Sequence, residues 1–117
     1  MKTTLVKAIY NSDIDEHELV NIKTGEVIPM SYDNIITAIN SVINYTQGVV
    51  LRHCKARVYY DGVTAVLQSY NTIVAFIYHG VCYDIHRYVN DYTATNAQHI
   101  NKFCHDYNAT EIIRIIN

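Results

Sequence analysis

The 117-residue sequence is poor in residues that mark several classes of protein. It contains one proline, four glycines and no tryptophan, and only 17% of its residues are charged. The glycines stand singly at positions 25, 48, 62 and 80, which excludes a glycine-rich phosphate-binding loop. No apolar run approaches the ~18 residues of a membrane-spanning helix. We therefore expect a chain without a transmembrane helix or a nucleotide loop.

Charge and cysteine content narrow the class further. A net charge of −2 and a pI near 6.3 give no reason to expect nonspecific binding to nucleic acid or to a membrane. The three cysteines are far apart and odd in number, whereas a secreted disulfide framework is usually even and dense. The first residues lack the apolar core of a signal peptide. We expect reduced thiols, a cytoplasmic location and one domain over residues 1–117.

Short β-type runs fill most of the chain. Residues 50–60 and 81–88 alternate between apolar and polar side chains, and residues 72–78 are apolar on both faces, which is typical of a strand covered on both sides. Asp61-Gly62 is a strong hairpin signal. The other predicted strands are residues 2–10, a hairpin of residues 19–22 with 26–30, residues 63–68, and the β-branched tail at residues 111–116, although the tail also fits a helical face.

Two segments have helical periodicity. Ser31 is a suitable N-cap for a helix over residues 32–47. A loop over residues 90–98 leads to a second helix, for which Thr95 and Gln98 have the spacing of a capping box. Its apolar stripe is Ala97, Ile100, Phe103, Cys104 and Tyr107, and its polar, outer side carries Asn96, His99, Lys102 and Asp106. The predicted fold class is α+β: an antiparallel meander of about four central strands, with additional N-terminal strands and two amphipathic helices packed on it.

Candidate chemical groups are present, but their spacing does not favour catalysis. The weak metal candidates are Cys82, His86, His99 and His105, and the sequence has no CxxC or HxxxH pair. No cysteine lies at a predicted helix N-terminus, where a reactive thiolate is favoured. We therefore expect no bound metal, no cofactor and no enzymatic activity. A small metal-binding or enzymatic Cys/His domain is retained as the third hypothesis.

A recognition surface is the interpretation that these observations favour. Tyrosine and arginine dominate binding hot spots because they offer area and polarity with few rotamers to lose. The predicted non-core face of the meander presents Lys55, Arg57, Tyr59, Gln68, Tyr70, His86 and Tyr88. Arg52, His53, Lys55 and Arg57 also form a basic cluster beside Tyr59, so binding of RNA or single-stranded DNA is the second hypothesis. The strand at residues 72–78, which is apolar on both faces, is compatible with a homodimer as well as with a helix on each side of the sheet.

A sequence pattern over about residues 56–107 suggests a biological context. Its first part, L-x-S-Y-x-T-x-V-A, is formed by Leu67, Ser69, Tyr70, Thr72, Val74 and Ala75, and its second, T-x-x-x-H-I-x-x-F, by Thr95, His99, Ile100 and Phe103. The pattern resembles small proteins of unassigned function from phages and mobile elements of low-GC Gram-positive bacteria. The resemblance implies an inhibitor of a bacterial defence system in the host cytoplasm, of the anti-CRISPR type, which binds the effector nuclease.

Overall fold

Eight strands form one mixed sheet in the computed structural model, which describes residues 1–89 and 93–116. The strands and helices, in chain order, are β1 (Lys2–Asn11), β2 (Glu16–Asn21), α1 (Tyr32–Tyr45), β3 (Val49–Val50), β4 (Ala56–Tyr60), β5 (Thr64–Ser69), β6 (Thr72–Tyr78), β7 (Val81–Asp84), α2 (Ala94–Asp106) and β8 (Glu111–Ile116). The order across the sheet is β2-β1-β8-β7-β6-β5-β4-β3. Neither described helix is long and apolar enough to cross a membrane.

The predicted meander is confirmed as strands β4 to β7, each antiparallel to the next. Its tight turns depend on residues that enter the left-handed region: Gly62 has φ 97°, and His79 and Gly80 have φ 50° and 76°. The Asp61 carboxylate accepts the backbone N–H of Thr64 at 2.7 Å and so closes the first turn. The α+β class is therefore correct, although the sheet is twice as wide as the predicted meander.

The ambiguous segment at residues 111–116 is a strand, and it lies in the middle of the sheet. β8 runs parallel to both β1 and β7, and α2 makes the crossover from β7 to β8. Ile112 belongs to one apolar core and Ile113 to the other. This burial on both faces explains why the strand is a nearly continuous run of isoleucine rather than an alternating one.

The two helices pack on opposite faces of the sheet. Along β5, Val66 packs with α1, whereas its neighbours Ala65 and Leu67 pack with α2, because successive side chains of a strand point to opposite faces. On β6, Phe76 likewise packs in the core on the α1 side and Ile77 in the core on the α2 side. The two-faced apolar pattern of residues 72–78 is thus explained by a helix on each side.

One sequence prediction holds only in part, and another is wrong. The predicted hairpin of residues 19–22 with 26–30 is reduced to one antiparallel bridge between Val20 and Val27. Two backbone hydrogen bonds of 2.8 Å close this bridge, from the Asn21 N–H to the Glu26 carbonyl and from the Ile28 N–H to the Leu19 carbonyl, and the main partner of β2 is β1. The predicted strand over residues 50–60 is broken because Arg52 and His53 have φ of 31° and 57°. This turn lets β3 fold back on β4.

The N-terminus of α2 also differs from the prediction. Thr93 is the N-cap, and its hydroxyl accepts the backbone N–H of Asn96 at 3.0 Å. Thr95, which we expected in that role, lies within the first helical turn. Residues 90–92 of the preceding loop lie outside the described residues.

The position of the cap can be tested with two threonine variants. Thr93→Ala removes the side-chain acceptor for the Asn96 N–H, so we expect the free energy of unfolding to fall by about 1 kcal/mol. Thr95→Ala is the matched control and should change it by less than about 0.5 kcal/mol. Urea denaturation followed by circular dichroism measures both. A larger loss in Thr95→Ala than in Thr93→Ala would place the cap where the sequence pattern put it.

Candidate functional site

The inner face of α2 carries polar residues as well as apolar ones. Asn96 and His99 are only 2% and 4% exposed, and they meet Ser69, which ends β5 and is fully buried. The prediction that Asn96 and His99 lie on the outer side of the helix is therefore wrong. The physical reason is that Asn96 and His99 share the 3.6-residue stripe of Ile100, Phe103 and Cys104 that packs on the sheet.

The hydrogen bonds of this cluster satisfy its buried polar atoms. The Ser69 hydroxyl donates to Asn96 Oδ1 at 2.5 Å, and Ser69 Oγ lies 2.7 Å from His99 Nδ1. A hydroxyl has one hydrogen and can also accept hydrogen bonds, so Ser69 can pair with both residues at once. The cluster thereby links α2 to the end of β5 through three buried side chains.

Burial also sets the protonation of His99. Desolvation, together with the positive charge of Lys102, lowers the pKa of His99 below its ordinary value of 6.5. The neutral imidazole is thus the form that fits this packed environment.

The turn next to Ser69 connects the cluster with the surface. Tyr70 has φ 54°, an uncommon conformation for a bulky residue, and its backbone N–H donates to the Lys55 carbonyl at 2.9 Å. Its ring lies 5.9 Å from that of His99, measured between centroids. Ser69, Tyr70 and His99 all belong to the sequence pattern described above, and the fold brings its two halves into contact.

A groove lies beside this turn. It has a volume of about 350 Å³ and is lined by Val50, Cys54, Lys55, Ala56, Arg57, Tyr70 and Asn71. Lys55 and Arg57 are exposed, and within residues 1–89 and 93–116 neither makes an ion pair. We call this concave surface, with Lys55, Arg57 and Tyr70 as its polar and aromatic residues, the basic groove.

Two further residues of the predicted surface support the basic groove from one side. Tyr59 donates its hydroxyl to Gln68 Oε1 at 3.1 Å, and the Gln68 amide donates to the Tyr70 carbonyl at 2.8 Å. This chain of hydrogen bonds fixes the backbone of Tyr70. Five of the seven residues expected on one surface are therefore close neighbours: Lys55, Arg57, Tyr59, Gln68 and Tyr70.

The other two residues of the predicted surface lie elsewhere. His86 is 2% exposed, and its Nδ1 contacts the buried carboxylate of Asp84. Tyr88 packs against Tyr32 of α1, with 4.6 Å between ring centroids. The alternation seen in residues 81–88 continues only to Asp84, where β7 ends, so the expectation that His86 and Tyr88 are exposed is not met.

The basic cluster predicted from sequence is also divided. Arg52 turns away and forms an ion pair with Asp106 of α2, with 2.6 Å between Arg52 Nε and Asp106 Oδ2. His53 occupies the left-handed turn that separates β3 from β4. Only Lys55 and Arg57 remain together at the groove.

The metal candidates do not converge. Cys82 is buried against Cys104, His86 contacts Asp84, His99 contacts Ser69, and His105 is exposed beside Asp106. Among the described residues there is no group of three or more potential ligands. Contact with Cys104, together with burial, raises the pKa of the Cys82 thiol well above its ordinary value, which keeps it protonated and unreactive.

Comparison with family models gives a match over residues 3–116 to a family of unknown function, DUF8033. The chain belongs to the DUF8033 family. Comparison with curated proteins and with solved structures gave no match. Membership of DUF8033 thus covers nearly the whole sequence and leaves the function to be argued from the molecule itself.

Sequence reasoning missed Ser69 and Asn96 in this DUF8033 member. The spacing 96, 99, 100, 103, 104 is a complete helical stripe, and it becomes visible only when polar residues are allowed on the buried face. Polar residues were assigned to the outer face because burial of an unpaired polar group is unfavourable. Here each has a partner, which a sequence does not reveal.

We predict that Ser69→Ala destabilises this DUF8033 chain. The substitution removes the hydroxyl that pairs with Asn96 Oδ1 and His99 Nδ1, and a buried polar group left without its partner costs about 1–3 kcal/mol. Ser41→Ala, on the exposed face of α1, is the control and should change the free energy of unfolding by less than about 0.5 kcal/mol. Equal effects in urea denaturation would show that the cluster adds nothing to stability.

The lowered pKa of His99 predicts a pH dependence. Between its folded and unfolded pKa values the unfolded chain binds more protons, so this contribution to stability is complete above about pH 6.5 and is lost at lower pH. His99→Asn cannot titrate, so the stability of wild type relative to this variant should fall from pH 7.5 to pH 5.5. His53→Asn, in an exposed turn that suits asparagine, is the control. If the wild-type and His99→Asn curves stay parallel, His99 is not the titrating group.

Proposed function

We propose that this chain is a non-enzymatic binding protein and that the basic groove is its contact surface. The observation that carries the proposal is the grouping of Lys55, Arg57 and Tyr70 around one concavity, with both cations exposed and neither engaged in an ion pair in the described part of the chain. Unpaired cations beside an exposed tyrosine are the composition of binding hot spots. Ser69 and Cys82, which carry nucleophilic groups, are fully buried.

A protein partner fits the groove better than a nucleic acid does. Val50, which lines the groove, and its neighbour Val49 are 54% and 65% exposed, so the surface combines exposed apolar side chains with charged and aromatic ones. The whole chain carries a net charge of −2, and two cations provide little of the phosphate neutralisation on which nucleic-acid affinity depends. We infer that the partner presents an acidic surface with apolar side chains at its centre.

The resemblance to phage and mobile-element proteins supports a choice of partner. We propose a bacterial defence protein, with the effector nuclease of a CRISPR system as the first candidate, bound stoichiometrically in the host cytoplasm. A small protein acting in this way needs a surface rather than a catalytic site, and the basic groove provides one.

Charge reversal at the groove is the direct test. Purified chain is mixed with purified CRISPR effectors from a susceptible host, and the affinity of any complex is measured by calorimetry. Arg57→Glu should weaken binding at least tenfold, because it places a negative charge opposite an acidic partner. Lys7→Glu, an exposed strand residue outside the groove, is the matched control and should leave the affinity within about twofold.

Three outcomes decide between the hypotheses. Absence of binding to any effector, together with unchanged CRISPR interference in cells, would reject the proposed partner. A gel shift with RNA or single-stranded DNA that weakens with salt and with Lys55 or Arg57 substitution would favour nucleic-acid binding. Loss of inhibition in a Ser69→Ala or Cys82→Ser variant that remains folded would favour an enzyme, whereas a binding protein should keep its inhibition.

A further inference from the structure

The two helices do not cover the sheet equally. The core under α1 extends across most of its face, from Leu19 on β2 to Val66 on β5. The core under α2 contains residues of β4 to β7 but only Ile112 of β8, and none of β1 or β2 among the described residues. The α2-side face of β1, β2 and the end of β8 therefore lies beyond the helix.

Strand alternation identifies the side chains on this uncovered part of the sheet. Val6, Leu19 and Ile115 point into the core under α1, so the residues next to them in sequence point to the other face. Four of these are apolar and, in the described chain, belong to neither core: Leu5, Ile9, Val20 and Ile116. Ile9 is 51% exposed, and the other three are partly exposed. We call these four side chains, with Lys7 and Glu18 between them, the open face.

The two charges of the open face have opposite signs and a regular placement. Lys7 is the register partner of Val20, and Ile9 is that of Glu18, so the four side chains form a quadrilateral with Lys7 diagonally opposite Glu18. Lys7 is exposed and Glu18 is partly exposed, and neither makes an ion pair within residues 1–89 and 93–116. Glu18 accepts a hydrogen bond from the neutral Asn11 amide at 2.9 Å, which leaves its charge uncompensated.

This arrangement is complementary to itself. Consider two copies face to face, related by a twofold axis that runs between them along the diagonal from Ile9 to Val20. The axis sets each of these apolar side chains against its own copy. It exchanges the two charged corners, so Lys7 of each copy comes close to Glu18 of the other. The strands of the two sheets then cross at a large angle, as in orthogonal sheet packing.

We propose that the open face is the interface of a homodimer, with Ile9 and Val20 at its centre and a Lys7–Glu18 ion pair on either side. Leu5 and Ile116 extend its apolar surface along β1 and β8. The interface lies on the opposite half of the strand order from the basic groove, so the dimer presents two basic grooves. The proposal does not rest on the proposed function or on the identity of a protein partner.

Analytical ultracentrifugation of the full chain, from micromolar to millimolar concentration, measures the dissociation constant of the dimer. Ile9→Lys sets two positive charges against each other on the twofold axis, so it should weaken the dimer by about tenfold or more. Circular dichroism should be unchanged, because Ile9 is half exposed and belongs to neither core. Tyr45→Lys, at an 86% exposed position on α1, is the matched control and should change the constant by less than about twofold.

A mixing experiment tests the twofold arrangement itself. Lys7→Glu and Glu18→Lys each bring like charges together twice in their own homodimers, so each variant alone should dimerise more weakly than wild type. In a heterodimer of the two variants both contacts again join opposite charges, so the mixture should dimerise about tenfold more tightly than either variant alone. Lys55→Glu and Glu26→Lys make the same charge changes at exposed positions outside the open face, and their mixture should show no such gain.

Four results would overturn the proposal. A monomer at every concentration rejects the dimer, and an unchanged constant in Ile9→Lys places the dimer contact on another surface. A mixture of Lys7→Glu with Glu18→Lys that associates no more tightly than its components rejects the twofold arrangement. If wild type is monomeric and Ile9→Lys loses binding to a CRISPR effector, the open face belongs to that partner instead.

The two proposed surfaces can fail separately. Arg57→Glu changes the basic groove and should leave the dissociation constant of the dimer within about twofold of wild type. An equal loss of dimer in Arg57→Glu and Ile9→Lys would contradict the separation of the open face from the basic groove.

Discussion

The parallel pairing of β8 with both β1 and β7 is the interaction on which the rest of the sheet depends. β1 and β2 form one hairpin and β3 to β7 form a second antiparallel unit, and in the described chain β8 lies between them in the strand order. Its register places Ile115 beside Val6 and Ile112 beside Cys82, so each face of β8 completes a different apolar core. The pairing of Val6 with Ile115 joins residues about a hundred positions apart, which is a large loop to close before any stabilisation is gained.

The same strand explains why polar residues are found inside the molecule. α2 connects β7 to β8, and it therefore packs on one face of the meander. Ser69 and Asp84 are located on that same face. Ser69 is paired by Asn96 and His99 from the helix, and Asp84 is paired by His86 and Arg114. Full pairing keeps each group acceptable in a dry environment and gives the helix one preferred position on the sheet.

The cations of the sheet differ in how they are held. Lys55 and Arg57 project from β4 and its preceding turn without ionic partners in the described residues. Arg114 is anchored by the buried carboxylate of Asp84. Burial alone would raise the pKa of Asp84, but hydrogen bonds from His86 and Arg114 lower it, so the carboxylate stays ionised behind the arginine.

Local pattern determined a large part of this structure. The meander, its Asp61-Gly62 turn, the two-faced strand at residues 72–78 and the N-cap at Ser31 follow from side-chain periodicity and turn chemistry, which act over a few residues. Lys55, Arg57 and Tyr70 lie close together because they flank the pairing of β4 with β5, which is local in sequence. Tertiary structure alone decided the central position of β8 and the burial of His99. In both cases the partner is distant in sequence, and whether a polar side chain is buried depends on whether such a partner satisfies its hydrogen bonds.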